Sequence, residues 1–446
     1  MTSTASVTSS VKAGVASTVE LAARRWRQHL GTRMPGRDRT WRGTHTIILL
    51  AGIEAPGAEA LRATLRQLAS LAPEHRIFRR PNAANTRWHT IPPEELDAFC
   101  HRMVLPLDHH PADDLDGLQK YLHDIRVPEI PLRLVTGRDF VAASIEHPLV
   151  DGRTILPFFA ELVARADDGT PPLAMVRDSA RWPLASAMAD YWGREPRRLV
   201  GTLRTPRDTP PAEPPGEERR PWQPDFASAS AVSDADLLPA LRRWRARNAR
   251  GVSRTAVFFA AARAALVSVG LEPSSAGLHV LADNRRYLPG RTAVDGNFSV
   301  GVYIEPDDPL DPASVGAALD TGLGAGRPLA TMALLTARAQ FQRPPTPARE
   351  ARAHPRPSLV ANYMGRVRDY EKLPWRDEGS ARFLSASTPG HPEYITFMML
   401  EMLGRLHVTA GFHASTFDPK QVGRAVQALC TDPVGLLESA RVSAVG

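Results

Sequence analysis

The sequence predicts an α/β protein built as two similar lobes. Strands and helices alternate on both sides of a single break in composition, and 446 residues with 43% hydrophobic side chains suffice for two or three domains with buried cores. The break, residues 204–224, is crowded with proline and charge; it can form neither a helix nor a central strand and reads as an extended connector. The expected organisation is a flexible N-terminal segment with a short basic helix over 1–40, a first lobe over 41–203, the connector, and a second lobe over 225–446.

In the first lobe, residues 46–53 read as a strand, followed by a helix near 58–72, and 132–135 and 140–145 read as two further strands. Ile155, Phe158, Phe159, Leu162, Val163 and Ala166 recur at the spacing of one helix face, which predicts a helix over 154–166. Asp151 stands just ahead of it, where a carboxylate can cap the first amides. The second lobe opens with a basic amphipathic helix over 235–249 and a nearly all-apolar, buried helix over 255–269. Strands follow at 278–282, 298–304, 359–363, 394–399 and 406–412, and a helix over 419–437 closes the chain. A second proline-rich stretch, 343–357, is expected to run over the surface.

Composition removes several functions. No apolar run approaches the eighteen or so residues that cross a bilayer, and the Ser/Thr-rich start lacks the apolar core of a secretory signal. Cys100 and Cys430 are too few for a disulfide framework or a cysteine zinc site, so a cytoplasmic location is expected. The net charge of +7 comes almost entirely from arginine, with lysine only at Lys12, Lys120, Lys372 and Lys420. The arginines are scattered and no nucleic-acid-binding motif accompanies them, which argues against a nucleic-acid partner. A basic surface suits the phosphates of a co-substrate or an acidic protein partner better.

The most informative segment is Glu146-His147-Pro148-Leu149-Val150-Asp151-Gly152, between an apolar strand and an amphipathic helix. An imidazole titrates near neutral pH, and held between two rigid elements it can be aimed as a general base. Gly152 permits a tight turn or a close backbone approach, and its amide can face a developing oxyanion. Asp283-Asn284-Arg285-Arg286 ends a strand and offers a guanidinium that can bind Asp151 bidentately. Gly296-Asn297 and Asn362-Tyr363-Met364-Gly365 place Gly/Asn elements at strand ends, where the lining of a channel needs them. A second His/Asp cluster, His109-His110-Pro111-Ala112-Asp113-Asp114, lies in a polar stretch and reads as surface. Gly322-Leu323-Gly324-Ala325-Gly326 follows a helical segment instead of a strand and reads as a loop; Phe397-Met398-Met399-Leu400 reads as core.

The order H-P-L-V-D-G, D-N-R-R-Y-L-P, G-N-F, N-Y-M-G resembles the chloramphenicol acetyltransferase-like superfamily of CoA-dependent acyltransferases over nearly the whole chain. Within it the chain is most similar to stand-alone condensation-domain-like and polyketide-associated acyltransferases. The resemblance implies two α/β sandwich lobes arranged as a V, with His147 midway along a central tunnel. It implies transfer of an acyl group from a CoA or carrier-protein thioester to a hydroxyl or amine, in bacterial secondary metabolism, with His147 as base and no covalent acyl-enzyme. It further implies a structural pair of Asp151 with Arg285, Arg286 being the fallback partner, with Gly152 beside them, and a tunnel lined by Glu146, Asn297, Asn362 and Gly365. No permanently bound cofactor or metal is expected; the acyl-CoA or phosphopantetheinyl thioester is a co-substrate of a monomer. Two departures stand out: Glu146 replaces the first histidine usual in condensation domains, and the D-F-G-W-G element of the plant branch is missing. The first motivates an alternative, a catalytically silent condensation-like module that recruits a carrier protein or another partner.

Overall fold

The computed structural model describes residues 31–109, 114–175, 180–205, 208–211, 216–290, 292–341 and 348–443. Residues 31–40, expected to be flexible, belong to the packed fold instead. Thr32–Arg33 pairs with the strand Arg87–Thr90, Met34 and Asp38 are fully buried, and Gly36–Arg39 forms a short helix, α1. A buried ion pair between Asp38 and Arg76 ties this segment down, a partnership over 38 residues that no local pattern announces. Residues 1–30, with the expected basic helix, lie outside the described residues.

The first half then supplies β1 (His45–Ala51), α2 (Ala58–Leu71), α3 (Leu96–Met103), β2 (Val104–Pro106), α4 (Leu115–Asp124), β3 (Leu132–Thr136), β4 (Phe140–Glu146) and α5 (Gly152–Arg165). The second half supplies β5 (Phe226–Val232), α6 (Leu237–Asn248), α7 (Arg254–Ser268), β6 (Leu278–Asp283), β7 (Ser299–Ile304), α8 (Pro312–Gly324) and α9 (Arg327–Arg338). It continues through β8 (Ser358–Arg366), β9 (Arg382–Ser387), β10 (Tyr394–Met402), β11 (Arg405–His413), α10 (Pro419–Thr431) and α11 (Pro433–Ser443). The architecture is mixed α/β, as its alternating pattern predicts.

Two main sheets result. A six-stranded sheet has the order β7-β6-β8-β10-β11-β5, all from the second half. A five-stranded sheet has the order β9-β1-β4-β3-β2, and its edge strand β9 comes from the second half. β9 pairs antiparallel with β1 from Thr46 and Ser387 to Ala51 and Arg382, so the late chain completes the early sheet. Phe383, Leu400 and Met402 accordingly pack in the same core as Leu61, Phe158 and Phe159. The other large core, around Phe258, Phe298 and Phe397, is built mostly by the second half, but Ala187 and Trp192, expected in the first lobe, pack in it as well.

The single closing helix expected over 419–437 is two helices. Pro433 has no amide hydrogen to continue α10, and Asp432 between them accepts a bond from the Gly435 amide at 2.8 Å. β4 is buried on both faces up to Ile145, as befits a strand between β1 and β3. α5 buries Ile155, Phe158, Phe159, Leu162 and Val163. At about 1.5–3 kcal/mol each, this face anchors the helix by on the order of 10 kcal/mol. The polypeptide between β4 and α5 is therefore held at both ends.

Candidate active site

That held segment is the turn carrying His147. After Glu146 the backbone winds into one 3-10 turn, His147–Leu149, with Pro148 at a position where no amide hydrogen is needed. The turn is fixed by the His147 amide donating to the Thr44 carbonyl at 3.0 Å and the Val150 amide donating to the His147 carbonyl at 3.2 Å. The imidazole is half-buried. One face lies flat against the Trp41 indole, with centroids 4.1 Å apart and planes within 6°. Nδ1 and the Asn297 side-chain oxygen are 3.0 Å apart. Among the described residues, no hydrogen-bonding partner engages Nε2. Burial lowers the pKa of this imidazole below the ordinary 6.5; the ring's bond to its own backbone carbonyl, the Asp151 charge and the Asn297 bond offset only part of that shift. The ring is thus neutral at neutral pH.

His147 forms part of the wall of a chamber of about 360 Å³. The first sheet lines it with Thr46, Ile48, Ile145, Ser385 and Ser387, and the second with Leu281, Asn362 and Met398. β1, β4 and β9 bring the first set to one place because Thr46 pairs with both Ile145 and Ser387, and Ile48 pairs with Ser385. The chamber adjoins two larger clefts, of about 1040 and 540 Å³. It shares Arg153, Asp283, Asn362 and Tyr363 with the first, and Gly152, Arg153 and Met364 with the second, which also carries Arg366 and Arg368.

Asp151 is buried, and both its oxygens are engaged, among others by the Thr154 hydroxyl at 3.1 Å and the Ser299 hydroxyl at 3.3 Å. Arg285 grips it with two nitrogens, at 2.9 and 3.2 Å. The Phe298 amide donates to it at 2.7 Å, and the Thr154 amide at 3.2 Å caps α5. Burial works to raise its pKa, yet the Arg285 charge and these donors outweigh it and hold the carboxyl below its ordinary range. Arg285 is held in turn by Asp283 at 3.1 Å and donates to Thr154 Oγ1 at 2.9 Å. One carboxylate therefore joins the His147 turn, the start of α5 and the chain leading into β7. Arg286, the fallback partner, lies on the largest cleft instead.

Of the residues expected to line a tunnel, Asn362 lies on the chamber wall, whereas Asn297, Glu146 and Gly365 do not. Asn297 is wholly buried behind the imidazole, and its side-chain nitrogen donates to the His147 carbonyl at 2.9 Å. Glu146 is half-buried, and strand alternation sends it away from Ile145; burial raises its pKa. Gly365 takes a φ of +74° at an irregularity in the β8–β10 pairing, a backbone requirement rather than a contact. Gly152 is the reverse case. It is the first residue of α5 without positive φ, and a Cβ there would meet nothing within 4 Å. Its lack of a side chain widens the cavity between chamber and cleft; no tight turn requires it.

Asp114 of the second His/Asp cluster caps α4 by accepting from the Gly117 amide at 2.6 Å, while residues 110–113 lie outside the described residues. Gly322 and Gly324 finish α8, and Gly326 adopts a φ of +71° before α9. Phe397 to Leu400 are buried in β10. Trp41 carried no sequence signal: a lone tryptophan more than a hundred residues before the motif is indistinguishable from a core residue.

Compared by sequence, the chain matches no family model and no curated protein. Its fold does match solved structures. Trichothecene 15-O-acetyltransferase from Fusarium sporotrichioides aligns over 92% of this chain and 95% of its own, with 12% identity and a TM-score of 0.57. The first condensation domain of the CDA synthetase aligns over 90% and 95%, with 14% identity and a TM-score of 0.55. The chain has the fold that these two proteins share. Within that fold the condensation domain of the Monacolin K polyketide synthase MokA is similar at 16% identity, over 92% and 96%, with a TM-score of 0.55. An epimerization domain of tyrocidine synthetase B shares the fold too, with 14% identity and a TM-score of 0.51, so the acyltransferase fold by itself does not select a reaction.

Proposed function

We propose that the protein is an acyltransferase that moves an acyl group from a CoA or carrier-protein thioester to a hydroxyl or amine acceptor, with His147 as the general base. The observation that carries this reading is a neutral imidazole, fixed on one nitrogen and unpartnered on the other, on the wall of a chamber that adjoins two clefts. Nε2 takes the acceptor's proton as its oxygen or nitrogen attacks the thioester carbonyl. When the tetrahedral intermediate collapses, the C–S bond breaks and the imidazolium returns that proton to the departing sulfur. The products are an ester or amide and a free thiol, and no acyl group passes through the protein. Arg153, Arg366 and Arg368 on the smaller cleft suit the phosphate of a pantetheine-bearing donor. The chain needs no permanently bound cofactor for these steps.

Thiol release from a panel of acyl-CoA and acyl-pantetheine thioesters, with and without small alcohols and amines, tests the reading. Acceptor-dependent thiol release is expected. None from any pair, by a folded protein, would favour the silent docking module, to which Glu146 in place of histidine lends its only support. Epimerisation releases no thiol and is separated by the same assay.

The depressed pKa of His147 gives a signed pH prediction. The base is active when neutral, so kcat/KM should be level through neutral pH and fall only below 6.5. An acid limb with its midpoint at or above 6.5 would contradict a desolvated base.

A further inference from the structure

The proton on His147 must sit on a particular nitrogen, and the residues behind the ring decide which. Asp38 is fully buried and presents acceptors on both oxygens, one of them taken by the buried Arg76 guanidinium. Burial opposes that charge, but the Asp38 and Asp295 carboxylates outweigh it and raise the pKa of Arg76. The other Asp38 oxygen accepts from the Asn297 backbone amide at 2.9 Å and from Asn297 Nδ2 at 3.2 Å. The same Nδ2 donates to the carbonyls of His147 at 2.9 Å and Pro148 at 3.3 Å. All three groups facing that nitrogen are pure acceptors, so the amide can stand only one way round, with its oxygen toward the imidazole.

An amide oxygen only accepts, so the His147 nitrogen 3.0 Å from it must carry hydrogen. Gly296 completes the arrangement: its φ of +88° turns the chain into Asn297, and a Cβ there would collide with the Arg76 guanidinium.

We propose that Asp38 and Asn297 are positioning residues for the base: Asp38 holds the Asn297 amide with its oxygen toward the ring, and that oxygen fixes the His147 proton on Nδ1, leaving the lone pair on Nε2. This rests on the acyltransfer reading only for its consequence in turnover; the proton's location is a property of the resting protein.

The test is long-range 15N–1H correlation on full-length protein labelled at its histidine rings, with the His147 signals assigned by their loss in His147→Gln. The native protein should show a single Nδ1–H form. Asn297→Ala should let the second form appear beside Nδ1–H and lower kcat about 10- to 100-fold with KM little changed, because the ring keeps only its own backbone carbonyl as acceptor. Asn297→Ser, which keeps a donor for Asp38 but places no acceptor at Nδ1, should behave the same way should the alanine variant not fold. Asp38→Asn should shift the balance in the same direction by less, since two carbonyls still face Nδ2; Asp38→Ala/Arg76→Met, which strands no buried charge, replaces it should it not fold. An unchanged Nδ1–H form in the Asn297 variants would overturn the proposal, and an unchanged form in the Asp38 variants would remove Asp38 from it. A clear shift of proton in a protein with no thioester activity would sink the acyltransfer reading and leave this one standing.

Discussion

Replacing His147 with glutamine is expected to abolish most acceptor-dependent thiol release while leaving the fold intact. Its side chain is half-buried and carries no net charge in the resting protein, and it bonds to Asn297 and to its own carbonyl and stacks flat on Trp41. Glutamine fills a similar volume and can still bond to Asn297, so melting should change little. What it cannot do is accept and return a proton. General-base transfer contributes about 10²–10⁴-fold in rate, and kcat should fall by that amount. KM should move far less, because both substrates still meet the same chamber walls. Undiminished turnover in a well-folded H147Q protein would remove the imidazole from the mechanism and leave the chamber to be explained otherwise.

The parts of this site that the sequence disclosed were those written contiguously or by complementary charge. His147, Asp151 and Gly152 sit within six residues between a strand and a helix whose periodicities differ, so the turn between them could be placed. A guanidinium at the strand end was legible as a partner for a carboxylate at a helix start, but only the family resemblance preferred Arg285 to Arg286. Asn297 was legible as important and misplaced in direction: a Gly-Asn pair suggests a lining, but Asp38 draws its amide inward. Asp38 and Trp41 themselves lie in a glycine-, proline- and arginine-rich segment with neither periodicity. Their meaning exists only once the early chain is laid behind the turn. β9 was missed for a related reason, since Arg-Phe-Leu-Ser-Ala-Ser is short and half polar and becomes a strand by completing a distant sheet edge. The split between α10 and α11 was readable at Asp432-Pro433, where continuous apolar spacing was allowed to outweigh a proline.

Removing the Asp151 carboxylate should be the most destabilising single change at the site. Alanine there leaves the Arg285 guanidinium, whose side chain is only 16% exposed, with Asp283 as its one carboxylate, deprives the Phe298 amide of its acceptor, and uncaps α5. Breaking one side of a buried pair costs about 3–5 kcal/mol, enough to threaten folding of a protein of ordinary stability. Asp151→Asn is milder, yet whichever oxygen it replaces, its NH₂ must face the guanidinium and a backbone amide, Thr154 on one side or Phe298 on the other, all donors. The sign of the pH dependence separates this from simple loss of packing. The carboxyl's pKa is lower folded than its ordinary 3.8, so its contribution is complete above that value and disappears as pH falls through the folded one. The stability gap between native protein and D151N should therefore be full at neutral pH and narrow in acid below about 4. In a double-mutant cycle, Arg285→Met should cost less in the D151N background than alone, because it removes the cation left with Asp283 alone. Urea or thermal unfolding of the four proteins measures both. Strictly additive losses, or a gap that does not change with acid, would mean that the pair seen between Asp151 and Arg285 does not hold the turn.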